Sequence, residues 1–198
     1  MHVAFSVMDS ARLEAFTDGV VAIIITIMVL DIHVPHGRDL RALQADVPVL
    51  LAYALSYVNV GIFWNNHHHM LNVTEQVNGR VLWANLILLF WLSLVPFVIR
   101  WLDEAGFSAL PTAAYGMVLV CAAISYSVLE WQIIALNGRD SRLARALGAD
   151  RKGKLSIVLY AAAVALAFVR PWIAISLYVL VALVWLVPDS RIEALVRK

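Results

Sequence analysis

From Val81 to Ile99, nineteen residues pass without one charged side chain. A helix needs about 20 mostly apolar residues to cross ~30 Å of hydrocarbon, so this stretch suits either a bilayer or a deeply buried core helix. Five further runs decide between them: Phe16–Ile32, Val47–Trp64, Leu110–Leu129, Leu155–Val169 and Trp172–Val187 bring the candidate spans to six. Of 198 residues, 62% are hydrophobic and 15% charged, against about 25% charged in a soluble domain. Too few charges remain to coat a water-facing surface. The sequence predicts an all-α polytopic membrane protein, a single six-helix domain over residues 1–198. The fifth span is short, and Lys154 and Arg170 snorkel from its ends. Arg170–Pro171 breaks the chain before the sixth, where a proline suits the first helical turn.

Lysine and arginine set the orientation. With the N-terminus in the cytoplasm, the inner side holds Arg12, Arg80, Arg139, Arg142, Arg145, Arg151, Lys152, Lys154, Arg191, Arg197 and Lys198, eleven in all. The outer side holds four: Arg38, Arg41, Arg100 and Arg170. Both termini of this multi-pass chain are therefore expected inside. Trp64, Trp83, Trp101, Trp172 and Trp185 fall near span ends, where interfacial anchors belong. The connection from Asn137 to Gly153 reads as a basic loop that serves orientation. A net charge of +1 gives no basic patch for nucleic acid. The lone Cys121 allows neither an intrachain disulfide framework nor a cysteine metal cluster, and no secretory leader pattern opens the chain.

The first span carries the unusual polar residues. Only twelve residues, Gly19–Leu30, separate Asp18 from Asp31, ~18 Å of helix, too short to span alone facing lipid. Asp18 is then expected inside the protein or in a wet vestibule, since an isolated Asp in hydrocarbon costs roughly 2.5–3.5 kcal/mol. The alternative is that Asp18 only caps a helix starting at Gly19. At about 100° per residue, Phe16, Gly19, Ile23, Thr26, Ile27 and Leu30 form one stripe, and Asp18 points away from it. Such a stripe can line a pore. Periodicity alone favours ordinary helix packing.

Elsewhere the polar residues are few. Trp64-Asn65-Asn66-His67-His68-His69 closes the second span. Three adjacent histidines do not share a helix face, so a metal site, which wants i,i+3 or i,i+4 spacing, is disfavoured, and one histidine bonded inward is the simpler reading. Asn85 suits a hydrogen bond between helices. Pro96 is expected to kink or end the third helix. Ser125, Ser127, Glu130 and Gln132 read as a satisfied polar patch. No catalytic triad, Walker loop, paired catalytic carboxylates or haem motif occurs, so no enzyme is expected, and the Thr-Val-Gly-Tyr-Gly filter of ordinary potassium channels is missing.

Arg12-x-x-x-Phe16-Thr17-Asp18-Gly19 resembles the R-x-x-x-F-S-D-G signature of the endosomal–lysosomal transmembrane potassium channel family. Trp64-x-x-His67, Asn85-Leu86 and Pro96-Phe97 continue the match on the next two helices, in the family's order. Thr17 departs from the signature's Ser but keeps the hydroxyl. The resemblance covers the first hundred residues by motif and the rest by span count. It implies a single six-helix unit acting as a homotetramer in the bilayer, with no re-entrant filter loop and no cofactor. It also implies a pore lined by the first helix, with potassium permeating in preference to sodium. By position, Ile23, Ile27 and Leu30 would form the apolar constriction and Thr26 a polar ring. Arg12, Phe16, Thr17, Asp18, Trp64, His67 and Asn85 would form a network near the cytoplasmic side. The rival is a proton-coupled secondary transporter using Asp18 and His67, although no inverted repeat supports it.

Overall fold

A computed structural model describes residues 10–32, 46–138, 140–147 and 150–186, with isolated positions at 34, 40 and 44. Arg38, Arg41, Arg139, Arg191, Arg197 and Lys198, which the orientation argument uses, lie outside the described residues, as does Val187. The described elements are helical: α1 (Ser10–Met28) with a 3₁₀ turn Val29–Asp31, α2 (Val47–Asn72), α3 (Gly79–Ser93), α4 (Val95–Glu104), α5 (Ala109–Asn137), α6 (Arg142–Leu147), α7 (Arg151–Ala167) and α8 (Pro171–Leu186).

Among the described residues three rods are long and apolar enough to cross a membrane: α2, α3 with α4 taken together, and α5. The helix α8 is apolar but shorter. Several helices outrun the hydropathy pattern. Helix α1 begins at Ser10, which leaves Asp18 in its third turn and rules out the helix-cap reading. Helices α2 and α5 each continue eight residues past the expected apolar spans, to Asn72 and Asn137. A polar residue ends an apolar run without ending a helix, provided its side chain finds a partner. The segment expected as a basic loop instead folds into α6, with Ser141 Oγ accepting from the Ala144 N–H at 3.3 Å, and into the first turn of α7.

The third span is two helices. Pro96 cannot donate to the Leu92 carbonyl and its ring crowds that group. The ladder breaks two residues earlier, at Leu94, whose N–H turns back to the Trp91 carbonyl at 3.2 Å, and Pro96 sits in the first turn of α4. Asn78 caps α3, accepting from the N–H groups of Arg80 and Val81 at 3.0 and 3.1 Å.

Helix α1 packs on α2, α3 and α4, while α5, α7 and α8 pack together, with α5 against α3 and α4 and α8 against α2. That second group closes through small residues: Ala163, Ala167 and Ala174 are fully buried, which lets backbones approach. At Gly116 the approach leaves no room for a side chain. A β-carbon there would collide with the Tyr178 ring and hydroxyl and with Val164.

Candidate functional site

The two faces of α1 have opposite fates. Leu13, Thr17, Val21, Ile24 and Met28 are buried against the neighbouring helices. The stripe from Arg12 through Phe16, Gly19, Ile23, Thr26, Ile27 and Leu30 is uncovered, with Ile23, Ile27 and Leu30 exposed by 58, 44 and 79%. An apolar stripe this open, along a helix whose other face is fully packed, needs either lipid, another chain or a wet lumen beside it. Thr26 turns its hydroxyl back on its own helix, donating toward the Ala22 carbonyl at 2.9 Å and within 3.0 Å of that of Ile23. Its oxygen keeps both lone pairs as acceptors on an exposed residue.

On the covered face, three polar side chains from three helices form one chain. Asn85 Nδ2 donates to Thr17 Oγ1 at 2.9 Å, and His67 Nε2 donates to Asn85 Oδ1 at 2.8 Å. Thr17, His67 and Asn85 are 1, 1 and 0% exposed. An unmet polar group at such depth costs about 1–3 kcal/mol, so the chain holds α1, α2 and α3 in one register. The histidine proton is assigned to Nε2 from the amide oxygen opposite it.

A second chain lies beside the first, half-exposed. Trp64 Nε1 donates to Asp18 Oδ1 at 2.7 Å. The Trp64 ring stacks on His68 at 6.1 Å. His68 Nδ1 lies 2.6 Å from Glu14 Oε1, and Asn72 Nδ2 lies 2.9 Å from His68 Nε2. The motif reading misses Glu14, His68 and Asn72. Their signal is helical spacing: Glu14 and Asp18 stand four apart on α1, as do Trp64, His68 and Asn72 on α2, so two rows meet where the helices cross. Arg12 and Phe16 lie on the uncovered face, and among the described residues Arg12 forms no hydrogen bond or ion pair.

His67 bonds Asn85, whereas His68 meets Glu14 and Asn72, and no metal-type cluster occurs among the described residues. In the far polar patch, Ser125 donates to the Cys121 carbonyl at 2.7 Å. Glu130 is buried against a cavity of about 40 Å³ shared with Asn66, Ser127 and Asp150.

The family model described as the endosomal/lysosomal potassium channel TMEM175 matches residues 12–96, the stretch that carries both hydrogen-bond chains and the open stripe. A potassium channel from Chryseobacterium sp. is 50% identical over 186 residues, covering 94% of this chain and 97% of its own. The chain belongs to the TMEM175 family. Members of this family are channels rather than enzymes. The human TMEM175, an endosomal/lysosomal proton channel, is 36% identical over 96 residues, which is 42% of this chain and 19% of the human one. Among solved structures, a lysosomal potassium-selective TMEM175 homolog from Chamaesiphon minutus superposes with a TM-score of 0.77 at 25% identity, covering 91% of this chain and 97% of that one. This TMEM175 chain thus shares its helical frame with a crystallised family member well beyond the segment matched by motif.

Proposed function

We propose that this TMEM175 chain is a potassium-permeable cation channel of a prokaryotic inner membrane, that residues 1–198 form one channel unit, and that four copies assemble around α1 with both termini cytoplasmic. The observation that carries this is the uncovered apolar stripe of α1, lying opposite a face locked to α2 and α3. Four such stripes around an axis put Ile23, Ile27 and Leu30 in successive rings, with Thr26 contributing four hydroxyls between them. An apolar ring offers no ligands to replace hydration water and dewets when narrow, so its width and wetting control conduction. Thr17, His67 and Asn85, with Asp18 and Trp64 beside them, position the pore helix rather than touch the ion. In this reading Arg12 and Phe16 face the neighbouring copies or the inner mouth.

The transporter alternative needs Asp18 and His67 to exchange a proton. They end in separate chains, Asp18 on Trp64 and His67 on Asn85, which favours a structural part for both.

The test is potassium and sodium flux through purified protein in liposomes. Ile23→Asn and Leu30→Asn should ease wetting, raise basal flux and blur the preference for potassium. Ile24→Asn, on the buried face, should cost folded yield instead. Unchanged flux and selectivity in folded tetramers carrying Asn at Ile23, Ile27 and Leu30 would remove α1 from the pore.

A further inference from the structure

At the end of the bundle opposite the α1 N-terminus, a groove of about 320 Å³ opens between α2, α5 and α8. Leu51, Leu55, Phe107, Trp172, Ile175 and Val179 line it. Its volume falls within the ~300–1,000 Å³ typical of ligand cavities. The polar groups at its floor are already satisfied: Ser56 Oγ and Tyr115 OH bond each other at 2.9 Å, and Tyr178 OH donates to the Thr112 carbonyl at 3.1 Å. Water therefore finds almost nothing to bond there, whereas apolar cavities of even about 150 Å³ take up hydrocarbon guests.

The rim is built with some backbone strain. Phe107 adopts a left-handed conformation, φ 58°, which costs a bulky residue about 1–2 kcal/mol. That conformation sets its ring parallel to Trp172, 5.6 Å away and inclined by 15°, an aromatic pair at the level where indoles meet headgroups. Arg170 stands two residues before Trp172, exposed, and no acid pairs with it among the described residues. The groove floor lies one to three helical turns inside the start of α2 and of α8, the depth of the upper acyl chain. Helix α1 packs on α2, α3 and α4 and not chiefly on α5 or α8, so with the α1 stripe at the channel axis two of the three groove walls stand back from that axis, on the side where lipid is available; this step rests on the pore reading above.

We propose that the groove is a phospholipid site, taking one acyl chain between α2, α5 and α8 and holding an anionic headgroup at Arg170. The α2–α5–α8 seam is then completed by lipid, and the channel prefers anionic phospholipid at this position.

Native mass spectrometry of the detergent-purified full chain tests it, because oligomer mass and bound lipid are read together. Dioleoyl phosphatidylglycerol added to the delipidated channel should bind at one per protomer, ahead of dioleoyl phosphatidylcholine. Filling the groove with Ile175→Trp, or with Ala52→Phe should the first variant fold poorly, should lower retention of phosphatidylglycerol about tenfold. Arg170→Gln should remove the preference between the two lipids. Undiminished retention in a folded, groove-filled variant would overturn the proposal, and so would dissociation of that variant into protomers, which would mark the groove as a contact between copies. Equal competition by free oleate with no effect of Arg170→Gln would overturn the headgroup assignment. Failure of the α1 variants in flux, with lipid retention intact, would sink the pore reading and leave the lipid site standing.

Discussion

Two buried hydrogen-bond networks hold this bundle, and they are built on different plans. The first is a line: Thr17, Asn85 and His67, one side chain each from α1, α3 and α2. The second is a mesh. Tyr115 on α5 meets Ser56 at 2.9 Å and Asn59 at 3.3 Å, both on α2, and Tyr160 on α7 donates to Asn59 at 3.4 Å. The Tyr178 ring lies 5.4 Å from that of Tyr115 and 6.2 Å from that of Tyr160. A line has no second route when its middle is lost. A mesh keeps some partners, and its tyrosines still bury their rings. The line fixes the helix whose other face is open, and the mesh fixes the helices that surround it.

Cutting the middle of the line should have the largest effect. Asn85→Leu strands the Thr17 hydroxyl and the His67 N–H together, at about 1–3 kcal/mol for each buried group left unpaired. Assembled protein should fall sharply in size-exclusion yield, and its unfolding midpoint in detergent should drop by more than for any change in the mesh. Asn59→Leu is the matched cut. It strands the Tyr160 hydroxyl but leaves Tyr115 bonded to Ser56, so the cost should stay near a single group, about 1–3 kcal/mol. Equal losses for Asn85→Leu and Asn59→Leu would erase the distinction between line and mesh.

A smaller effect sharpens the mesh itself. Tyr178→Phe gives up one hydrogen bond to the Thr112 carbonyl, worth about 1 kcal/mol net, and keeps the ring. It also removes the atom that a β-carbon at Gly116 would strike first. Gly116→Ala should therefore destabilise the Tyr178→Phe protein less than it destabilises the parent, with a coupling measurable in a double-mutant cycle. Additive losses would mean that the ring carbon retained by Phe, or Val164 beside it, sets the limit.

The members of the line stood out in the sequence, although their grouping came only from the family resemblance, and the mesh did not stand out. Thr17 belongs to a spaced motif, and His67 and Asn85 are polar residues in or beside apolar runs, where each needs a partner. The mesh joins residues 56 to 101 positions apart, and a tyrosine in an apolar helix gives no hint of which neighbour takes its hydroxyl. Hydropathy located the apolar segments but stopped at Trp64 and Leu129, because it registers polarity and not helix continuation. It also read the third span as one rod, and Pro96 alone hinted at the break at Leu94. The stripe of Ile23, Ile27 and Leu30 was visible as a period, yet a period cannot say whether a partner covers it. Glu14 and His68 became readable only once α1 and α2 were seen to cross.

That crossing gives the smallest prediction. Glu14 and His68 sit 2.6 Å apart with side chains 20 and 42% exposed, on the wet edge of the same helix contact whose interior holds Thr17 and His67. With Nε2 accepting from Asn72, the ring meets Glu14 as an Nδ1–H donor, a half-exposed hydrogen bond worth about 1 kcal/mol. Glu14→Gln should lower the unfolding midpoint only slightly, because the amide oxygen replaces the carboxylate as acceptor. The geometry of His68 also limits the loss: its Nε2 faces Asn72 Nδ2 at 2.9 Å, so the ring keeps one anchor on its own helix. A Gln at position 14 can still accept from Nδ1, whereas Glu14→Ala cannot, and the gap between the two variants measures the hydrogen bond apart from the charge. If Glu14→Gln cost as much as Asn85→Leu, the edge and the interior of the crossing would act as one cooperative unit, and the line could no longer be treated as three side chains without a second route.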